Sequence, residues 1–353
     1  MRNKTFPILT MSTFLNQSGL AALIVLIFVV FSKCNSETKG NHESKNETEL
    51  DADKEYFITA DDKATHLYIR EAGRGNPVIV LHGGFGNDHT NVIDVASGLH
   101  DQFRFIFYDQ RGSSLSYCKR EDISVQNHVK DLETIRKALD LEKFTLVSHS
   151  AGTVLALLYL EKYPRHVENL ILLGAMEPKN GSADFFTEKE RATWDSARVQ
   201  RERFSSRPEI EEEINKAGLN IVNRNPWQRQ LYNHIKYYAA QNIYHIEKWK
   251  ELSLPHWNQI AAQAASESFD WKYNFVSLLA ESDIPITVIN GEYDLVVGAI
   301  GSPVWQHVIE NDAQNVTLSI IEKAGHLSWI DTPTDFREIF KYALDRTKKF
   351  ETK

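Results

Sequence analysis

Phe144-Thr-Leu-Val-Ser-His-Ser-Ala-Gly-Thr153 decides how this chain is read. A short apolar run ends in small residues, and beyond them Val154, Leu157, Leu158 and Leu160 recur at helical spacing. A strand therefore passes into a helix through Ser148-His149-Ser150-Ala151-Gly152, the pattern G-x-S-x-G with Ser148 in place of the first glycine. Small residues two before and two after Ser150 let strand and helix crowd together at a turn sharp enough to lift its side chain clear of a sheet. The helix that follows aims backbone N–H groups at the place where an oxyanion would form. Ser150 is thus a candidate nucleophile. An ordinary strand–helix junction that happens to contain serine fits these ten residues as well, so the surrounding sequence has to separate the two.

Working outward, Tyr56–Ile58 and Leu67–Ile69 read as an opening pair of strands. Pro77–Leu81, Phe103–Tyr108, Phe144–Val147, Leu170–Leu173, Ile286–Ile289 and Val316–Ile321 read as strands buried on both faces, the mark of a parallel sheet. Between them Val125, Val129, Leu132, Ile135 and Leu139 repeat at helical spacing. This alternation predicts an α/β chain with a mostly parallel, doubly wound sheet and active-site loops at the strands' carboxyl ends. Two titratable groups follow strands at that same edge. Asp294 lies in the turn Gly291-Glu292-Tyr293-Asp294 after 286–290, and His326 in Ala324-Gly325-His326 after 316–321. A buried structural histidine is the competing reading of His326, and its place after the last strand speaks against it. Glu292 is the rival acid.

With these motifs in place the chain resembles the α/β-hydrolase superfamily of serine hydrolases, whose order of nucleophile, acid and histidine is Ser…Asp…His. Within it the chain is most similar to the proline iminopeptidase group. His82-Gly83-Gly84-Phe85-Gly86 stands where that group has His-Gly-Gly-Pro-Gly, and Asp109-Gln110-Arg111-Gly112 reproduces its Asp-Gln-Arg-Gly, with Ser116 near the usual serine. The resemblance implies a catalytic triad of Ser150 as nucleophile, His326 as general base and Asp294 as its orienting acid, preferred over Glu292 by motif position. It implies an oxyanion hole from the N–H groups of Gly84 and Ala151, with Asp109 and Arg111 organising a loop. It also implies a core of residues 55–176 and 283–348, and a helical cap inserted at 177–282. That stretch holds Trp194, Trp227, Trp249, Trp257 and Trp271, most of them expected to fill the cap's own core.

The departures bear on the substrate. Phe85 for proline predicts a less rigid oxyanion loop, and Ser148-His149-Ser150-Ala151 for Gly-Gly-Ser-Trp is the form of many esterases. An aminopeptidase acting on a short peptide or small molecule, an esterase or related carbon–oxygen or carbon–carbon hydrolase, and a ligand-binding protein on the same scaffold all stay open. In iminopeptidases cap carboxylates hold the substrate's α-amino group, and the candidates here are Glu177, Glu202, Glu209, Glu247 and Asp270. No cofactor or metal is implied.

Composition narrows the remainder. The 353 residues carry a net charge of -8, which argues against a nucleic-acid partner. Two cysteines, Cys34 and Cys118, cannot form a disulfide framework. Leu20–Phe31 is an apolar run of 12 residues, short for a bilayer span and the size of a signal-peptide core. Phe31-Ser32-Lys33-Cys34 resembles a bacterial lipobox, although Lys33 occupies a position where a small residue is usual. Residues 1–34 therefore read as a leader, the alternative being an uncleaved signal anchor. Residues 35–54, nearly devoid of apolar side chains, read as a tether. The expectation is an exported protein attached to a membrane through its N-terminus.

Overall fold

The computed structural model describes residues 54–181, 186–253 and 256–346. The leader, Cys34 and all of the expected tether except Lys54 lie outside the described residues. Lys54 already belongs to the first strand. Eight strands form one sheet: β1 (Lys54–Thr59), β2 (His66–Gly73), β3 (Asn76–Leu81), β4 (Phe103–Tyr108), β5 (Phe144–His149), β6 (Val167–Leu173), β9 (Ile286–Gly291) and β10 (Val316–Ile321). Their order is β1-β2-β4-β3-β5-β6-β9-β10. β2 pairs antiparallel with both β1 and β4, and every other pairing is parallel. The continuous apolar runs behave as strands buried on two faces. In β3, Val78 and Val80 enter one core layer while Ile79 and Leu81 enter the other. β10 departs from that expectation, because as an edge strand it leaves its four central residues half-buried. Helices α1 (Val125–Ala138) and α2 (Gly152–Lys162) cover the layer of Ile79 and Leu81, and α11 (Pro333–Leu344) lies on that of Val78 and Val80.

From β3 the chain moves first to β4 on one side and then to β5 on the other. The crevice of this doubly wound sheet therefore opens between the carboxyl ends of β3 and β5. Register brings the other loops to the same edge: Leu81 lies beside Ser148, His149 beside Leu173, Leu173 beside Ile289 and Gly291 beside Ile321.

Between β6 and β9 an insertion is tied at its base by a two-stranded ribbon, β7 (Lys179–Asn180) against β8 (Tyr273–Asn274). It is helical: α3 (Glu188–Ser205), α4 (Pro208–Lys216), α5 (Pro226–Asn233), α6 (Ala240–Asn242), α7 (Gln259–Glu267) and α8 (Val276–Glu281). Thr187 and Glu190 close a capping box at α3, as do Asn225 and Gln228 at α5. Pro226 thus starts a helix at its first turn, where a missing N–H costs nothing, instead of interrupting one. Before β10 and after it, α9 (Pro303–Asn311) and α10 (Ser328–Asp331) complete the α-helices of the described residues.

Candidate active site

Ser150 occupies the turn between β5 and α2 with φ of +53°. A non-glycine residue in the left-handed region costs roughly 1–2 kcal/mol, which the surrounding backbone must hold in place. It does so tightly: Ser150 N donates to Leu173 O at 3.0 Å, and Thr153 N donates back to Ser150 O at 2.9 Å. Thr153 Oγ1 also donates to Ser150 O at 2.6 Å and accepts from Met176 N at 3.1 Å, which joins the turn to the end of β6. The small residues of the motif have a visible cause. A Cβ on Gly152 would lie 2.7 Å from His82 O, and one on Gly83 would lie 2.7 Å from Ser150 Cβ.

The structure brings Asp294 and His326 to the same place. His326 Nδ1 lies 2.9 Å from both carboxylate oxygens of Asp294, and both side chains are buried. Gly174, one residue beyond the Leu173 carbonyl that receives Ser150 N–H, makes room for them. A Cβ there would sit 2.8 Å from His326 Nδ1 and 3.1 Å from Asp294 Oδ2. Glu292 points elsewhere, with Oε2 accepting from Lys323 N at 3.1 Å. No hydrogen bond of 3.5 Å or less joins Ser150 Oγ to His326 among the described residues. Such bonds are often long until substrate tightens them. His149, next to the candidate nucleophile, packs its ring on His326 with centroids 4.5 Å apart, and its Nε2 lies 3.3 Å from His326 O. Burial, then the neighbouring His326, pushes the His149 pKa well below its ordinary value, so it is a neutral platform under the His326 ring.

The loop after β3 faces Ser150. Gly84 and Gly86 have φ of +61° and +85°, and the only internal backbone bond of the turn is Asn87 N to Gly84 O at 3.0 Å. Among the described residues no protein group accepts from the backbone N–H of Gly84, Phe85 or Ala151. Phe85 does not leave this loop loose. It is buried, stacked on His128 of α1 at 5.6 Å and tilted against Trp271 of the cap at 6.1 Å. Asp109 and Arg111 do organise their loop, but through other partners than each other. Asp109 accepts from His89 N, His89 Nδ1 and Leu115 N, and Arg111 forms a two-pronged pair with Asp131 and a second pair with Asp62. Ser116 Oγ donates to Asp109 O and accepts from Tyr68 N.

The cap contributes less aromatic core than its composition promised. Trp249 is buried there and donates Nε1–H to Glu213, while Trp227 and Trp257 are more than half exposed and Trp271 packs against Phe85. Of the five cap carboxylates only Glu177 is buried; Glu202, Glu209, Glu247 and Asp270 face solvent. Glu177 Oε2 has no partner, and burial, followed by the charges of Asp294 and Glu190, pushes its pKa up to about 8. Asp331 escaped the sequence reading. Its carboxylate accepts from Gly325 N in the histidine turn and from Tyr244 N and His245 N in the cap, at 2.7, 2.9 and 2.8 Å. Nothing in the local sequence could flag it, since two of its three partners come from the cap, 87 and 86 residues away. No group of three or more His, Cys, Asp or Glu among the described residues could hold a metal.

Comparison with known proteins agrees with this architecture. The family model described as alpha/beta hydrolase fold matches residues 76–333. A proline iminopeptidase of Lactobacillus crispatus is 23% identical over 300 residues, covering 79% of this chain and 94% of that protein. Among solved structures, a proline iminopeptidase-related protein of Thermus thermophilus superposes with a TM-score of 0.59 at 24% identity, covering 83% of this chain and 97% of its own. A thermophilic esterase from Thermogutta terrifontis gives the same TM-score at 20% identity, with 83% and 99% covered. With its sheet order, its crevice and a family match spanning most of its length, the chain belongs to the α/β-hydrolase fold family and is related to the proline iminopeptidases.

Proposed function

We propose that the protein is a serine hydrolase that transfers an acyl group to water, and that its acyl donor is a short peptide with a small or prolyl N-terminal residue. The observation that carries the reading is the His326–Asp294 pair held beside a serine in the left-handed elbow conformation. In this reading Ser150 Oγ attacks the carbonyl as His326 Nε2 takes its proton. The N–H groups of Ala151 and Gly84 receive the oxyanion. The imidazolium then gives the proton to the leaving amine, and water repeats the sequence on the acyl-enzyme. Asp294 fixes the tautomer with Nδ1 protonated. Each oxyanion donor contributes about 3 kcal/mol to lowering the barrier. The peptide substrate rests on relatedness to the iminopeptidases.

A carboxylesterase is the second reading. It is favoured by Glu177, alone buried among the five candidate cap carboxylates, whose raised pKa leaves it without a standing negative charge for an ammonium group at neutral pH. One panel separates the two: prolyl and alanyl chromogenic amides beside short acyl esters, each with wild type and Ser150→Ala. The serine mechanism expects a loss on the order of 10⁶ in rate for the variant. More than a tenth of wild-type turnover left in Ser150→Ala would end that mechanism, and turnover of esters alone would end the peptidase reading.

A further inference from the structure

Three consecutive cap residues reach down to the loop after β3, which faces Ser150, and to the loop after β4 beside it. Asn258 N donates to Gly86 O at 2.9 Å, and Asn258 Nδ2 donates to Gly112 O at 2.7 Å. A Trp257 ring carbon lies 3.1 Å from the position of a Cβ on Gly84, and His256 Nδ1 lies 3.6 Å from Asp88 Oδ2. The fit is close enough to forbid any side chain at Gly86, where a Cβ would fall 2.3 Å from Asn258 O. The remaining amide oxygen, Asn258 Oδ1, accepts from Ile260 N and Ala261 N and so caps α7. Its three side-chain partners fix the amide's orientation.

Capping alone does not account for this residue. Aspartate and serine cap helices as well as asparagine does, yet neither could donate from that position to the Gly112 carbonyl. The loop has a need for such an external hold. Its turn carries two glycines with positive φ and one internal backbone bond, and glycine brings the largest conformational freedom to be lost. Donors to a developing oxyanion act only when held at hydrogen-bonding distance before the charge appears.

We propose that residues 256–258 form a strap through which the cap sets the geometry of the oxyanion loop, with Asn258 a positioning residue for hydrolysis. The proposal rests on the serine-hydrolase reading above. Asn258 touches no reacting atom; its backbone N–H holds the Gly86 carbonyl and its amide holds the Gly112 loop. That loop in turn grips the start of the oxyanion loop, where Gln110 N and Nε2 donate to His82 Nε2 and O at 3.1 and 2.9 Å.

The test is Asn258→Asp, which keeps the helix cap and replaces the donor facing Gly112 O by an acceptor. Three readings are taken on the full chain: the rate of labelling by a fluorophosphonate, kcat and KM for a short acyl ester, and the affinity of an alkyl boronic acid, whose tetrahedral adduct places an oxygen in the oxyanion position. The strap expects kcat, labelling rate and boronate affinity to fall together by about 10- to 100-fold. KM should stay within about twofold and the thermal midpoint within a few degrees. Retained kcat overturns the proposal, as does lost kcat with unchanged boronate affinity. If Asn258→Asp does not fold, Asn258→Ser, also a capping residue but too short to reach Gly112 O, is read in the same way. A wild-type chain that takes no fluorophosphonate overturns the underlying reading and the strap with it, whereas labelling at equal rates in wild type and variant overturns the strap alone.

Discussion

Glu177→Gln tests the electrostatics of a buried carboxyl that feels the charge of Asp294, without altering Ser150, His326 or Asp294. The carboxyl is buried, Oε2 lacks a partner, and Oε1 packs 2.6 Å from where a Gly298 Cβ would stand. Burial raises its pKa from 4.5 to about 8, with Asp294 and Glu190 adding to the shift and Lys179 opposing it. An acid whose folded pKa lies above its unfolded value holds its proton in the folded state after the unfolded chain has released it. Its contribution is therefore fully present below the unfolded pKa and is lost as pH rises towards the folded one. Between pH 5.5 and 8 this amounts to about 3 kcal/mol of stability lost in wild type, and none of it can occur with glutamine. Urea unfolding of both proteins at the two pH values gives the difference directly. Wild type should lose about 3 kcal/mol relative to Glu177→Gln on going to pH 8. A relative change below about 1 kcal/mol would refute the reasoning, because a glutamate near its ordinary pKa is already ionised in both states at pH 5.5.

Asp294→Asn should preserve the fold and lower kcat by about 10⁴, since an amide cannot hold His326 in the required tautomer; a larger loss from Glu292→Gln in the same assay would reverse the assignment of the acid. Gly174→Ala should reduce kcat by at least about tenfold, because its Cβ would fall 2.8 Å from His326 Nδ1 at a φ of +49°; wild-type kcat in a folded Gly174→Ala protein would show that the histidine has room to retreat without losing its alignment.

The strands were legible because buried parallel strands write themselves as unbroken apolar runs, and β3 to β6 and β9 sit where such runs occur. β10 shows the limit. Val-Thr-Leu-Ser-Ile-Ile reads as one more central strand, yet position in the sheet, which no local pattern encodes, leaves it at the edge and half-buried. Ser150, Asp294 and His326 could be placed because each follows a strand, and strand ends share an edge once the sheet is parallel. The cap resisted in a different way. Its tryptophans announce apolar surface without saying what they cover, so Trp257 against Gly84 and Trp271 against Phe85 became visible only in three dimensions. Signals were also passed over: Pro303 and Pro333 stand at the first turns of α9 and α11, as proline often does at helix starts.

Phe85 shows how one substitution can be misread from sequence for a sound physical reason. Proline stiffens a loop through its own ring, so its absence predicts slack. Here stiffness comes from packing. Burying a phenylalanine side chain is worth roughly 1.5–3 kcal/mol, and Phe85 is 6% exposed between His128 and Trp271. The partner it needs is costly. Both ring nitrogens of His128 are buried without a hydrogen bond, and burial, with Arg111 next, pushes its pKa down to about 3. An unpaired buried polar group costs about 1–3 kcal/mol, so the stack does not add much net stability. What it supplies is location. A proline would fix the loop by itself, whereas Phe85 fixes it to α1 on one side and to the cap on the other. Trp271 and Asn258 both belong to the cap, so the loop after β3 is held from the cap as well as from the core. Rigidity that is local in the iminopeptidase motif has become, in this chain, a property shared between the core and its insertion.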